Sequence, residues 1–235
     1  MIHLLWPTVR PEVMKSTYQH WLDMAHNSAE VTVHIAVNTL EQAELLQEFE
    51  DVYVCGDKIK GVAFPSYVLS TNLKAAPNDI IILASDDFFA PKNWDSYLKK
   101  AFKRFNGCLL VNDGYQYGNC VTIPIMTMDC LEKINRIIYH PVYRHLWSDN
   151  ELYINLRNMK LLKDRRRGDK QSPLFEHRHY DAKKRPRDKH DRLAHSSSSE
   201  AKALKTYNTR MKKPIKTRLV VGKGWRKLVA NAKRV

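Results

Sequence analysis

"DIIILASDDFFAPKNWD", residues 79–95, decides the fold. Four apolar residues, Ile80 to Leu83, run directly into two adjacent acids, Asp86 and Asp87. A continuous apolar run, rather than strict alternation, marks a strand covered on both faces, as at the centre of a parallel sheet. In such sheets functional groups gather beyond the carboxyl ends of the strands. Asp86 and Asp87 fall there. Adjacent carboxylates repel, and each prefers a proton unless a cation neutralises it. Oxygen ligands at that place suit Mg²⁺ or Mn²⁺ bridging to phosphates. The competing reading is a helix cap, because Asp87 precedes "PKNWDSYL" and acids are common at helix starts.

The flanking segments extend the pattern. "MIHLLWPT" reads as a strand ending at Pro7. "PEVMKSTYQHWLDMAHNS" follows as a helix, with Val13, Tyr18, Trp21, Leu22 and Met24 near helical spacing and Pro11 suited to the first turn. "VTVHIAVNT" is a β-branched strand, "LEQAELLQEFED" a helix, "VYVCGD" a strand, and "SYVLSTNLKAAPND" a helix leading into strand 80–84. After the acids come the helix "WDSYLKKAFKRF", the strands "CLLVND" and "CVTIPIM", and the helices "MDCLEKINRIIY" and "DNELYINLRNM". This alternation predicts an α/β domain with a mostly parallel central sheet flanked by helices.

The 235 residues allow one sizeable domain, or a domain with an appendage. No apolar run approaches the roughly 20 residues needed to cross a bilayer. The start "MIHLLWPTVRPE" lacks a basic leader and a small-residue cleavage site, so no secretion signal or membrane insertion is expected. Cys55, Cys108, Cys120 and Cys130 show no metal-type spacing and read as reduced thiols of a cytoplasmic protein. The net charge of +14 is unevenly placed. Residues 1–156 hold 13 Lys/Arg against 18 Asp/Glu, a net −5, and residues 157–235 hold 26 against 7, a net +19. With Tyr180, Tyr207 and Trp225 interleaved among the cations, this last third points to a phosphate backbone as partner. A solvated tail is the bland alternative. The domain boundary is expected near 190, with a basic segment over 191–235 that is able to contact nucleic acid.

"ASDDFFAPKNWD" after "NLKAAPNDIII" resembles the core of glycosyltransferase family 2, enzymes of the A-type nucleotide-diphospho-sugar transferase fold. The first strand ends in Pro-Thr with an Arg two residues on ("WPTVRPE"). A helix Asn precedes the acidic strand ("LSTNLKAAPNDI"), and Pro91 and Trp94 follow the acids. "YRHLWSDNELYINLR" looks like the helix that carries the catalytic acid. "LFEHRHYDAKKRPRD" is similar to a late His-containing stretch of phage DNA-modifying relatives. The resemblance covers about residues 1–190. It departs at Ala84, where the common Asp-x-Asp form has an acid, and at Asn38-Thr39, where many relatives carry an acid for the nucleotide.

The resemblance implies roles. Pro7, Thr8, Arg10, Asn38, Asn72 and Asp86 would bind the nucleotide-diphospho-sugar, a UDP-sugar first, with Arg10 near the diphosphate. Asp87 and His177 would hold Mn²⁺ or Mg²⁺, with His179 as the alternative to His177. Asp149 would be the general base, with Glu151 in reserve; locally, "SDNE" reads equally as a helix cap. Trp94 and Trp147 either stack on sugar or acceptor or belong to the core. The acceptor implied by the basic third and by the phage-type relatives is a hydroxymethylated base in DNA. A polysaccharide or protein acceptor, or a non-catalytic nucleic-acid-binding protein, are the other classes.

Overall fold

The computed structural model describes all residues except 58–60, 116–117, 169, 180–183, 187, 189–191 and 193–195. Among the described residues there are ten strands: β1 (Ile2–Pro7), β2 (Val31–Val37), β3 (Val52–Val54), β4 (Ile80–Leu83), β5 (Phe88–Phe89), β6 (Cys108–Val111), β7 (Ile125–Thr127), β8 (Leu162–Arg165), β9 (Glu176–His177) and β10 (Lys233–Arg234). Eight of them form one sheet in the order β10-β3-β2-β1-β4-β7-β6-β8, while β5 and β9 form a separate ribbon. The run β3-β2-β1-β4 is parallel, as is β6-β8; β7 and β10 run antiparallel to their neighbours. The expected mostly parallel α/β sheet is present.

Among the described residues the α-helices are α1 (Pro11–Met24), α2 (Leu40–Glu44), α3 (Ala63–Asn72), α4 (Trp94–Phe102), α5 (Met128–Lys133), α6 (Ser148–Asn158), α7 (Ser197–Met211), α8 (Ile215–Arg218) and α9 (Lys223–Asn231). The run Ile80–Leu83 is apolar throughout because both faces are covered. Ile80 and Ile82 pack with Trp21 of α1 and Trp94 of α4, while Ile81 and Leu83 pack with Phe64 and Val68 of α3. In α1 the inward residues are Met14, Thr17 and Trp21. Val13, grouped with the apolar face from its spacing, is 44% exposed.

Two expected helices are shorter than their sequences suggested. α2 starts on a complete Thr39/Gln42 capping box but gives way to turns after Glu44, where buried Leu46 anchors the chain for its entry into β3. α5 ends early because Asn135 and Arg136 adopt left-handed φ values of 53° and 59°. That turn has a use: Arg136 Nη1 donates to the carbonyls of Ser70, Thr71 and Leu73, closing the open carboxyl end of α3.

The C-terminal segment lies against the domain. Leu219, Val221 and Val229 are buried in the core on the α3 side, Trp225 packs on Phe64 with ring centroids 5.5 Å apart, and β10 closes the sheet edge at β3. All four cysteines are free and buried. No helix among the described residues is long and apolar enough to cross a membrane.

Candidate active site

Strands β1 and β4 lie side by side, and the chain leaves their carboxyl ends at Thr8 and at Asp86-Asp87. The strand that follows β1 (β2) lies on one side of this pair and those that follow β4 (β6 and β7) on the other, which opens a crevice at this switch point. Asp86 is 8% exposed, and one carboxylate oxygen accepts from Trp6 Nε1 (2.9 Å) and the other from Thr8 Oγ1 (2.9 Å). The backbone N–H of Arg10 donates to Thr8 Oγ1 (2.9 Å), and the Arg10 guanidinium lies 3.8 Å from Asp86. Burial pushes the Asp86 carboxyl up to about 6, against the pull of Trp6, Thr8 and Arg10 and with a further upward push from Asp87.

Asp87 is held differently. Ser85 Oγ donates to it at 2.6 Å, and His177 Nε2 and Arg185 Nη2 approach to 3.5 and 3.6 Å. Burial alone would raise this carboxyl too, but His177, Ser85 and Arg185 outweigh it and hold Asp87 well below the usual carboxylate range.

His177 reaches Asp87 because β9 pairs with β5, placing Phe88 opposite His177. The two rings stack with centroids 4.1 Å apart, and the backbone N–H of His177 donates to the Asp113 carbonyl (3.0 Å). Nδ1 of His177 is buried without a hydrogen-bond partner. His179 lies beside it, ring centroids 5.0 Å apart, and stacks on Tyr115. Among the described residues no group of three or more His, Cys, Asp or Glu converges on one point. The pair Asp87 and His177 nevertheless supplies one oxygen and one nitrogen donor facing each other at the crevice. A divalent ion fits such a pair when phosphate oxygens and water complete its shell.

Asp149 stands in the first turn of α6, one residue after Ser148, and the N-cap is Trp147 with φ 70°. Neither Ser148 nor Asp149 is therefore the cap; Ser148 Oγ donates instead to the His145 carbonyl (2.6 Å). A short chain of contacts ties this turn to the crevice. Val121 N–H donates to the Asp149 carbonyl, Thr122 Oγ1 donates to the buried Asp113 carboxylate (2.7 Å), and the Asp113 carbonyl accepts from His177. Burial raises the Asp149 carboxyl, partly offset by backbone N–H groups of its own turn.

Not every residue picked from sequence comes to this edge. Asn72 sits at the carboxyl end of α3, near the amino ends of the strands. It is exposed, and its Nδ2 donates to the Val68 carbonyl of its own helix (2.9 Å). A helix connecting parallel strands runs back along the sheet, so its last residue ends opposite the crevice. Glu151 is engaged elsewhere: it is 3% exposed, bound by Arg210 through two 2.7 Å hydrogen bonds and by the Tyr143 hydroxyl (2.7 Å). Asn38 does lie at the crevice edge, just after β2, with its Oδ1 buried and unpaired. Trp94 is wholly buried core, and Trp147 packs on Tyr207 of α7. Tyr180 lies outside the described residues.

Several site residues were missed by sequence reasoning. Trp6 and Thr17 hold Asp86 by its carboxylate and its carbonyl, and in sequence Trp6 reads only as part of the first strand. Arg185 and Asp188 sit in a charged stretch that gives no periodic signal, yet Arg10 Nε donates to Asp188 at 2.8 Å.

No family model matches the sequence, and no curated protein sequence matches it. Solved structures do share the fold. S. aureus TarS 1–349 in complex with UDP-GlcNAc superposes with a TM-score of 0.62 at 11% identity, over 98% of this chain and 70% of that one. The mannosyltransferase PcManGT from Pyrobaculum calidifontis, in complex with GDP-Man and Mn²⁺, gives 0.52 at 9% identity over 97% and 83%. A longer S. aureus TarS chain gives 0.56 at 11% identity, and this protein spans 35% of its length.

Proposed function

We propose that the protein transfers a sugar from a nucleotide-diphospho-sugar to a hydroxyl acceptor, a hydroxymethylated base in DNA, by a single inverting displacement. The observation that supports this most is the convergence of Thr8, Arg10, Asp86, Asp87 and His177 at the switch point of a sheet whose fold is shared with a mannosyltransferase in complex with GDP-Man and Mn²⁺. A UDP-sugar is the first donor to test, on the analogy of TarS in complex with UDP-GlcNAc.

The nucleoside would lie over Pro7, Thr8 and Asn38, whose unpaired Oδ1 offers an acceptor to a base or ribose N–H or O–H. Asp86, fixed by Trp6 and Thr8, would receive a ribose hydroxyl. Arg10 would turn to the diphosphate, an anion it can grip through two N–H groups. Asp87 and His177 would hold Mn²⁺ or Mg²⁺, which when bound offsets the charge that grows on the departing diphosphate. Asp149, whose raised pKa suits it to accept a proton nearer neutrality, would take the acceptor hydroxyl proton as that oxygen attacks the anomeric carbon. The bond from the anomeric carbon to the diphosphate oxygen breaks, and its electron pair leaves with the nucleoside diphosphate. A base in a duplex must be turned out of the stack to reach this crevice.

A donor screen tests the proposal. UDP- and GDP-sugars are incubated with Mn²⁺, with and without hydroxymethylated DNA, and free nucleotide and labelled DNA are measured. Sugar on DNA is the expected result. Nucleotide release that no DNA accelerates, with label passing to a glycan or protein instead, would overturn the acceptor; no turnover of any donor would overturn the transferase.

A further inference from the structure

Residues 201–235 contain twelve Lys/Arg and no Asp or Glu. Two of the twelve are buried and structural: Arg210 on Glu151, and Arg218, whose carbonyl receives Arg210 Nη2 at 2.6 Å. The rest are exposed, and apart from Arg234, which pairs with Asp51, none has a carboxylate partner among the described residues. Uncompensated like charges on a docked surface weaken the fold by self-repulsion, so a compensating anion is the physical expectation.

The helices display these cations in order. At 3.6 residues per turn, Lys202, Lys205, Thr209 and Lys212 of α7 and its cap fall within a sector of about 80°, spanning about 15 Å, with Lys213 immediately after. The opposite face, through Ala203, Tyr207, Arg210 and Met211, is turned to the domain: Tyr207 packs on Trp147 (centroids 5.1 Å) and Arg210 on Glu151. In α9, Lys223, Arg226 and Lys227 share an outer face, while Trp225 and Val229 face Phe64 and the core. Interfacial membrane helices bind by inserting an apolar face. Here Tyr207 of α7 and Trp225 and Val229 of α9 are used against the domain, only Leu204 and Leu228 (39% exposed each) leave single apolar side chains outside, and the outer faces offer charge.

We propose that the outer face of α7, from Lys202 to Lys213, is a phosphate-backbone track for duplex DNA. Its inner face packs on α6, the helix that carries Asp149, through Tyr207 on Trp147 and Arg210 on Glu151. The proposal deepens the acceptor reading above and rests on it for the purpose of the track. Its test uses neither donor nor metal, so loss of binding and loss of transfer are read separately.

The experiment is salt-dependent binding of the full chain to a fluorescent 30-base-pair duplex. The parent is compared with a variant carrying Lys202→Gln, Lys205→Gln, Lys212→Gln and Lys213→Gln, and with a control carrying Lys103→Gln and Arg104→Gln, exposed residues of the net-acidic first 156. Each lost phosphate contact should remove about 0.9 from the slope of log K against log salt, so the quadruple variant should be shallower by up to about 3.6. The control should keep the parent slope. The thermal midpoint of the quadruple variant should match or exceed the parent's, since like charges are removed; if it falls, the pair Lys202→Gln and Lys205→Gln alone should still lose up to about 1.8 of slope. A slope unchanged in the lysine variants, or reduced equally in the control, overturns the track. Tighter binding to phosphatidylserine vesicles than to DNA overturns it in favour of a membrane surface.

Discussion

Arg210 closes a bidentate ion pair on Glu151, both hydrogen bonds 2.7 Å, across 59 residues of sequence. Both side chains are largely buried, and the Tyr143 hydroxyl donates to the same carboxylate. The pair joins the basic C-terminal segment to the first turn of the helix that carries Asp149. Removing one partner leaves a buried charge alone, which typically costs about 3–5 kcal/mol. Arg210→Met should show that loss in urea unfolding, and Arg210→Met with Glu151→Gln should recover most of it. Equal losses in single and double variants would mean that packing, not charge, dominates.

Asp87→Asn keeps the shape but removes the charge that His177 and Arg185 surround. Donor affinity measured by calorimetry should lose its Mn²⁺ dependence, with the fold retained by circular dichroism. An unchanged Mn²⁺ effect would remove Asp87 from the metal site.

Asp149→Asn should lower turnover by about 10²–10⁴, the usual cost of losing a general base. Donor affinity should be nearly kept, because the residue acts on the acceptor. Its carboxyl is raised by burial, so in the parent the rate should fall on acidification at a pH above the ordinary carboxylate range. Turnover within a few-fold of the parent would leave Asp149 as a helix-start acid only.

His140 predicts an acid weakness. It is 7% exposed, accepts from Val142 N–H at Nδ1 (3.2 Å) and donates from Nε2 to the Val220 carbonyl (3.1 Å), which fixes the neutral ring. Burial, then the charge of Arg210, lowers its pKa to about 4, with the Val220 carbonyl opposing. Above the unfolded value, about 6.5, both states are neutral and this group contributes nothing to the slope. Between about 6.5 and 4 the unfolded chain takes up a proton that the folded chain refuses, so stability falls by about 1.4 kcal/mol per pH unit. Below about 4 the loss is complete. His140→Asn should remove this part of the acid slope in denaturant titrations; an identical slope in parent and variant would assign it to carboxylates.

The sequence by itself determined where the paired acids leave the sheet. The run Ile80–Leu83 could be apolar on both faces only in a covered strand, and acids directly after it had to emerge at a carboxyl edge. The Pro-Thr ending of the first strand and the strand–helix alternation were legible for the same reason: burial and backbone conformation repeat over a few residues, and periodicity records them. Partnership does not repeat. Asp86 is fixed by Trp6 and Thr8, 80 and 78 residues away, Arg10 meets Asp188 across 178, and Glu151 is withdrawn by Arg210. Asn72, well placed in the linear pattern, ends at the wrong side of the sheet because its helix runs back against the strands. A local pattern says that a residue is buried or polar; only the closed topology decides which charges meet there, and so which acid binds, which is spent on structure and which is left to react.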